Sequence, residues 1–347
     1  MLFCIGRCIH QLATLKEVAK LAKVDSSVVS RVVNNDPALN IKPETRKRIL
    51  DAVEELKYRP NMSARNLKKG QSKMLGMIIP DFSNPVYSLI IHGAEDQAAQ
   101  EGFNLLVYSL KQKGLEKSYS PLLDGQIEGL LIANSEIDNK EILELKKTKK
   151  PFMLVNRTVA GVDNYVVAND LLGAKLATKH LIKQGHHRIA HISGPLFTAT
   201  GLSRFQGYRE GLQEDNIDYI PVYVQESKYT VENGYESMEI LLDLPDPPTA
   251  VFASNIMICL GAMKAIQDRG LTIPKDMSII GVHDVFFTST LQPPLTTVKM
   301  PLYEMGREAV KKLIAIIQGK EGETGQGVTI DGASLIVRSS TSPPPSK

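Results

Sequence analysis

The sequence predicts a protein of two parts: an all-α N-terminal domain, and a larger α/β core of two doubly wound parallel-sheet subdomains. The chain has 347 residues, more than one small hydrophobic core organises. Capped helical patterns occupy residues 13–59, whereas apolar strand-like runs alternate with helical stretches over roughly 270 later residues. The net charge also differs between the two parts. Residues 1–70 hold 14 Lys and Arg against 7 Asp and Glu and carry +7, whereas the remainder carries −4.

The first helical pattern begins with a capping box. Thr14 supplies a hydroxyl, and Glu17 follows three residues later at the start of an apolar helical stripe. This helix should end at Lys23, and Asp25 should cap a second helix over Ser26–Asn34. Two short helices joined by a tight turn predict a helix-turn-helix.

A third helix should complete the small domain. Pro43 suits the first helical position, and the apolar pattern continues to about Lys57. The second helix would then expose a polar face made of Ser26, Ser27, Ser30, Arg31 and Asn34. Arg31 can donate two hydrogen bonds to one guanine edge or clamp a phosphate, although a polar surface without a partner fits the same residues.

A basic segment over residues 60–71 follows the helices. It holds few apolar residues, so we expect it to be loose alone and to fold when it binds a polyanion such as DNA. Leu67 would then be placed to wedge between base steps in a minor groove. A plain linker is the alternative.

Continuous apolar runs predict the strands of the core. They occupy residues 74–80, 102–108, 129–132, 152–155, 187–192, 250–253 and 278–282. No G-x-G-x-x-G, phosphate loop, Ser/His/Asp set or metal-ligand spacing accompanies them, and the three cysteines form no framework. We therefore expect no catalytic residues, no metal and no cofactor.

Polar residues that follow the strands predict a ligand site, because ligands of such sheets bind beyond the carboxyl ends of the strands. The candidates are Asp81, Phe82, Ser83, Asn84, Asn156, Arg157, Arg204, Ser254, Asn255, His283 and Asp284. Any one of them alone is explained as an ordinary loop residue with its hydrogen bonds satisfied. Together they would form a ring of donors and acceptors, with Phe82 available for stacking.

These motifs resemble the lactose-repressor/galactose-repressor (LacI/GalR) family from Thr14 to Ser342. The resemblance is carried by Thr14–Ala22, Val29–Asn34, Glu44–Arg46, Tyr58–Asn61, Ala64–Leu67, Pro80–Pro85, Gly185–Ala190, Ser193–Pro195, Arg204–Tyr208, Leu295–Val298 and Tyr303–Gly306. It implies a helix-turn-helix headpiece and a periplasmic-binding-protein-like core whose two subdomains clamp a small ligand.

The resemblance also implies roles for single residues. Ser26, Ser27 and Arg31 would face bases, and Thr14, Ser30 and Asn34 would contact phosphates. The hinge helix would place Asn61, Ala64, Arg65 and Leu67 on the DNA, with Leu67 in the minor groove.

The domain limits follow from the same comparison. We expect an N-terminal extension over 1–12, a DNA-binding domain over 13–59, a hinge over 60–71, a core over 72–342 and a tail over 343–347. The N-subdomain would hold about 72–168 and 299–327, and the C-subdomain about 169–298 and 328–342.

Several departures from the family pattern bear on function. Lys23 stands where Gly is usual, and Val28 replaces a polar residue. Asn156 and His283 stand where Asp is common, and Ile256 follows Ser254-Asn255 where Asp is usual.

The changed pocket residues suggest which ligand to expect. A pocket with Arg157, Arg204 and His283 would favour negative charge. The candidate effectors are therefore a sugar, a sugar derivative or another metabolite, including an anionic one.

The expected function is allosteric repression by a cytoplasmic homodimer that binds a near-palindromic operator in double-stranded DNA. The sequence has no heptad tail that would predict a tetramer, and it has no apolar run that would predict a membrane segment. The rivals are a solute-binding protein, which would need a signal peptide, and an enzyme that uses the α/β core.

Overall fold

The computed structural model describes residues 13–34, 36–58, 72–109, 127–135, 137–148, 150–320 and 326–345. Two compact units are present, Met1–Ser72 and Lys73–Lys347. The first unit contains the helices α1 (Leu15–Ala22), α2 (Ser26–Val33) and α3 (Pro43–Glu55).

Side-chain caps fix where α1 and α2 begin. The Glu17 amide donates to Thr14 Oγ1 at 3.3 Å, and the Thr14 amide donates to Glu17 Oε2 at 2.6 Å, which completes the predicted capping box. The Ser27 amide donates to Asp25 Oδ1 at 2.7 Å. Pro43 occupies the first turn of α3. The predicted starts of all three helices are confirmed.

A small apolar core joins the three helices. Val18, Val29, Val32 and Ile49 are buried in it. Arg48 on α3 donates through Nε to the carbonyl of Ala22 at 2.8 Å, so α3 also holds the end of α1.

The second unit contains two six-stranded sheets. The strands of the first sheet are β1 (Met74–Ile79), β2 (Asn104–Ser109), β3 (Gly129–Ile132), β4 (Phe152–Val155), β5 (Tyr165–Ala168) and β11 (Val328–Ile330). Those of the second are β6 (Ile189–Ser193), β7 (Val224–Glu226), β8 (Ala250–Ala253), β9 (Ser278–Val282), β10 (Thr296–Lys299) and β12 (Ser334–Ile336).

The two sheets have the same strand order. The first runs β11-β5-β4-β3-β1-β2 and the second β12-β10-β9-β8-β6-β7. All pairings are parallel except that of β12 with β10. Each strand of one sheet therefore has a counterpart in the other, and both sheets follow the doubly wound pattern in which ligands lie beyond the carboxyl ends.

Helices cover the sheets in closely packed pairs. The helices are α4 (Val86–Gln100), α5 (Asn139–Lys147), α6 (Asp170–Lys183), α7 (Ala199–Glu214), α8 (Val231–Leu242), α9 (Ile256–Asp268) and α10 (Leu302–Ile317), with 3-10 turns at Pro221–Tyr223 and Thr288–Thr290. The pairs are α6 with α7, α8 with α9, and α4 with α10. Glycine permits this approach: a Cβ on Gly207 would lie 2.2 Å from the Leu171 carbonyl oxygen, and one on Gly306 would lie 2.1 Å from that of Ile90. None of the helices in the described ranges has the length and apolar character needed to span a bilayer.

The chain crosses between the subdomains three times. Crossings lie between β5 and α6, between β10 and α10, and between β11 and β12. The first and third are joined, because the Asn169 amide donates to the Ile330 carbonyl at 3.1 Å and Asn169 Nδ2 donates to Asp331 Oδ1 at 2.9 Å.

The expected subdomain limit at residue 328 is wrong. Val328–Ile330 forms β11, which pairs with β5 in the first sheet, so the last crossing falls after Ile330. Five strands were not predicted: β5, β7, β10, β11 and β12. These strands are three or four residues long, and pairing with a neighbouring strand stabilises such short segments more than their own propensity does.

His191 is fully buried in the second subdomain. Its ring stacks on Tyr208 and Phe252 with centroid distances of 5.0 and 4.5 Å, and its Nδ1 lies 3.0 Å from the Phe252 carbonyl oxygen. Full burial lowers the pKa of His191 to about 3, against an ordinary value of 6.5. The side chain is therefore neutral in the folded core.

The Lys23→Gly substitution should stabilise the N-terminal unit. Lys23 has a φ of 53°, a left-handed conformation that costs a side-chain-bearing residue about 1 kcal/mol. Lys20→Gly, inside α1, is the matched control and should destabilise the unit by about 1 kcal/mol. Amide hydrogen exchange of α1 in the full chain measures both effects, and equal acceleration of exchange in the two variants would contradict the assignment.

Replacement of His191 by Phe should weaken the acid sensitivity of the core. Below pH 6.5 the unfolded chain binds a proton at His191 that the folded chain does not bind until about pH 3, so wild-type stability is lost as the pH falls through this window. The variant should lose about 1.4 kcal/mol less per pH unit there. Denaturant unfolding from pH 4 to pH 8 checks this, and parallel curves for the two proteins below pH 6 would refute it.

Candidate DNA-binding face and ligand cleft

The outer surface of α2 carries the predicted DNA-facing residues. Ser27 and Arg31 are exposed, whereas Ser26, Ser30 and Asn34 are half-buried. The opposite side of α2 is anchored in the core of the N-terminal unit. The helix therefore offers a polar face while its apolar face holds it in place.

Most of these polar groups already have partners within the unit. Arg31 Nε donates to Asp36 Oδ2 at 2.7 Å, and this hydrogen bond lowers the pKa of Asp36. Asn34 Nδ2 donates to the Ser30 carbonyl at 2.5 Å, and the Thr14 hydroxyl takes part in the capping box. These contacts fix the side-chain directions before any partner arrives.

Val28 has a structural explanation. It is half-buried and packs against the core of the N-terminal unit, so an apolar residue fits this position. The predicted hinge contacts Asn61, Ala64, Arg65 and Leu67 lie outside the described residues.

A narrow inner pocket lies between the subdomains of the core. Five of the predicted ligand residues line it: Asn84, Asn156, Arg204, Asn255 and His283. Val86, Tyr87, Ser135, Thr200 and Tyr229 complete the lining. The loops after β1, β3, β4, β8 and β9 all contribute, as expected for the carboxyl ends of doubly wound sheets.

An outer pocket adjoins the inner one. The two share Ser135, Asn156 and Thr200, and the outer pocket has a volume of about 350 Å³. This volume suits a small metabolite, whereas the inner pocket, at about 30 Å³, admits only an edge of one.

Five of the eleven predicted ligand residues line neither pocket: Asp81, Phe82, Ser83, Ser254 and Asp284. Phe82 is 62% exposed, and Asp81 accepts a hydrogen bond from the Ser83 amide at 2.8 Å within its own loop. The structure does not place Phe82 where it could stack on a ligand in either pocket.

Arg157 borders the outer pocket, but its charged group is directed into the protein. The guanidinium donates to the carbonyls of Asn134 and Ile137, and to Asn139 Oδ1 at 2.9 Å. These hydrogen bonds occupy donors of the Arg157 guanidinium and hold the loop between β3 and α5. The expectation that Arg157 attracts an anionic ligand is therefore not supported.

Arg204 lines the inner pocket and makes several buried contacts there. Its Nε and Nη2 contact Asp170 Oδ1 at 2.8 and 2.6 Å, and its Nη1 donates to the Ser254 carbonyl at 2.7 Å. Its Nη2 also lies 3.1 Å from His283 Nε2. Side chains of both members of the ion pair are at most 5% exposed, so Asp170 balances the charge of Arg204 locally.

The same contacts make His283 neutral. Burial, and then the positive charge of Arg204, lower the pKa of His283 well below its ordinary value. A neutral His283 and a compensated Arg204 remove the basis for expecting an anionic ligand.

Several lining residues were missed in the sequence. Ser135 follows β3, so the rule applied to the other strands would have found it. Tyr87, Thr200 and Tyr229 lie on helices or before them, and only the folded core brings them to the pocket. Asp170 carries no sequence signal for its pairing with Arg204, 34 residues later.

The described residues hold no cluster of three or more His, Cys, Asp or Glu side chains able to bind a metal ion. The N-terminal unit with its helix-turn-helix and the core with its polar cleft together define a ligand-responsive, DNA-binding regulator.

Comparisons with known proteins agree with this class. Residues 14–61 match the family described as bacterial regulatory proteins, lacI family, and residues 178–341 match a periplasmic binding protein-like domain. The chain is 36% identical to the HTH-type transcriptional repressor CytR of Escherichia coli (strain K12), over 95% of this chain and 96% of that protein. It is 33% identical to the repressor PurR of Aliivibrio salmonicida, over 90% of this chain and 94% of that protein.

Solved structures give the same result. A lac repressor dimer bound to operator and the anti-inducer ONPF matches with a TM-score of 0.84 and 28% identity, over 96% of this chain and 100% of that chain. A complex of the regulator CelR with cellobiose matches with a TM-score of 0.72 and 30% identity, over 94% of this chain and 99% of that chain. The chain belongs to the LacI family of transcriptional regulators, and it is a regulator rather than an enzyme.

Breaking the buried ion pair should destabilise the core strongly. Asp170→Asn leaves the Arg204 charge buried without a counter-charge, which costs about 3–5 kcal/mol of unfolding free energy. The double variant Asp170→Asn, Arg204→Met removes the charge as well and should recover much of this loss. Lys264→Gln, which breaks the exposed pair with Asp268, is the control and should change stability little.

Denaturant unfolding of the full chain measures all four proteins. The interpretation fails if Asp170→Asn is no more harmful than Lys264→Gln.

Proposed function

We propose that this chain is a cytoplasmic repressor that binds a near-palindromic DNA operator as a homodimer and responds to a small molecule held in the core cleft. The observation that carries the proposal is the polar face of α2, on which exposed Ser27 and Arg31 stand on a helix anchored by buried Val29 and Val32. A helix presented in this way fits the major groove of DNA.

Each polar residue of the face has a proposed task. Ser26, Ser27 and Arg31 read base edges, whereas Thr14, Ser30 and Asn34 contact phosphates. Thr14 stands at the N-terminus of α1, where the helix dipole favours a phosphate. Asp36 holds the Arg31 guanidinium through Nε, so the terminal nitrogens are the ones proposed to reach a guanine.

Dimer formation and the hinge complete the proposed DNA complex. The lac repressor that this chain resembles is a dimer on its operator. Two copies would place their α2 helices in successive half-sites. Asn61, Ala64, Arg65 and Leu67 would then contact the DNA between the half-sites, with Leu67 in the minor groove.

The cleft is proposed as the effector site. Its inner pocket combines residues from both subdomains, so a ligand bound there contacts both and stabilises one angle between them. The solved complexes of CelR with cellobiose and of lac repressor with ONPF show that relatives take small ligands.

Arg31→Ala should relax the preference for operator over other DNA. The loss of a bidentate guanine contact costs about 1–3 kcal/mol of discrimination, which is roughly 5- to 150-fold. Asp36→Asn is the matched companion, because it keeps Arg31 but removes the carboxylate that holds it. This variant should bind scrambled DNA more tightly and show a steeper salt dependence.

The measurement is fluorescence anisotropy with the full chain at several salt concentrations. The probes are a duplex that the wild type selects from a random pool and a scrambled duplex of equal length. The DNA-reading role of α2 is excluded if Arg31→Ala leaves the ratio of the two affinities unchanged. Wild-type chain that selects no sequence at all would overturn the proposed function.

A further inference from the structure

His283 and Asn156 occupy matched positions in the two subdomains. Asn156 follows β4 directly, His283 follows β9 directly, and these strands hold the same place in their sheets. Both residues have left-handed backbones, with φ values of 57° and 81°. Backbone strain of this kind concentrates at functional sites, where the surrounding structure maintains it.

Each of the two side chains has a buried polar atom without a hydrogen-bond partner in the protein. The atoms are Asn156 Oδ1 and His283 Nδ1, and both residues line the inner pocket. His283 is only 3% exposed. Because an unpaired buried polar group costs free energy, a ligand that paired with these two atoms would recover that cost.

Arg204 determines which nitrogen of His283 carries the proton. A guanidinium has only donors, so His283 Nε2, at 3.1 Å from Arg204 Nη2, must accept. The proton of the neutral ring then lies on Nδ1. The pocket therefore presents a donor at His283 and, across the cleft, an acceptor at Asn156 Oδ1.

We infer that His283 is the residue that determines ligand specificity in the cleft: its Nδ1–H donates to an uncharged ligand that carries a carbonyl, ether or hydroxyl oxygen at this point and a donor towards Asn156. This inference rests on the proposed effector role of the cleft and names the ligand class. An aspartate, common in the family at this position, would accept from a ligand hydroxyl, so His283 reverses the direction of the hydrogen bond.

The charges around the pocket support an uncharged ligand. Asp170 compensates Arg204, His283 is neutral, and the Arg157 guanidinium is held by carbonyl groups. A carboxylate or phosphate in the inner pocket would lose its hydration, and it would find no cation there whose charge is not already compensated.

The proton position can be tested without any ligand. Nitrogen-15 NMR of the full chain labelled at histidine, with a His283→Asn sample to assign the signal, distinguishes protonated from unprotonated ring nitrogens. The expected result is a neutral ring with the proton on Nδ1. A proton on Nε2, or a charged ring at pH 7, would overturn the inference.

The ligand class is tested with a matched pair of variants. Asn at position 283 keeps a neutral donor near the site of Nδ1, whereas Asp has the same shape and only accepts. Both tolerate a positive φ. The probes are pentoses, hexoses, and amides of sugar acids alongside the corresponding carboxylates, and the readout is calorimetric titration of the full chain.

Among these probes, an amide or a free sugar should bind the wild type more tightly than any carboxylate does. His283→Asn should bind it within about tenfold of the wild type, and His283→Asp at least tenfold more weakly than His283→Asn. Preference of the wild type for a carboxylate over its amide, or equal binding by the two variants, would overturn the inference. Neither result bears on the proposed function, which is tested by DNA selection with ligand-free wild type.

Discussion

The buried pair of Arg204 and Asp170 joins the segments of the second subdomain that lie behind the cleft. Arg204 lies on α7 and Asp170 begins α6, and the same guanidinium reaches the Ser254 carbonyl after β8 and His283 after β9. Four segments distant in sequence are thus set by one planar group. Burying a guanidinium costs free energy. Here the cost is offset because the donors of Arg204 meet a carboxylate, a carbonyl and a ring nitrogen.

That arrangement explains why the charge balance of the pocket could not be predicted from sequence alone. His283 directly follows β9, as expected, whereas Arg204 lies within α7 and not in a loop after a strand; both line the cleft. Counting their charges predicted an anionic ligand, because the sequence does not show that Asp170 compensates Arg204. The pairing is a property of the packed α6 and α7 helices, and no local pattern encodes it.

The N-terminal unit was easier to predict, for a physical reason. Its helix starts depend on contacts between residues two or three positions apart, such as Asp25 with Ser27 and Thr14 with Glu17. The left-handed backbone of Lys23 agrees with the glycine that the family usually has at this position. The missed edge strands are the opposite case, since β11 is a strand only because β5 lies beside it.

The ion pair also joins the cleft to the crossings between subdomains. Asp170 directly follows Asn169, whose amide and side chain bond Ile330 and Asp331 of the third crossing. His283 is therefore joined to Asp170 by two contacts through Arg204, and Asp170 is next in sequence to Asn169 at the crossing. The sheets and the paired helices on either side are close-packed, with glycines that allow no added side chain, so they resist internal deformation. A change in the angle between subdomains must then be taken up in the three crossings, and Arg204 of the cleft contacts Asp170 beside the first of them.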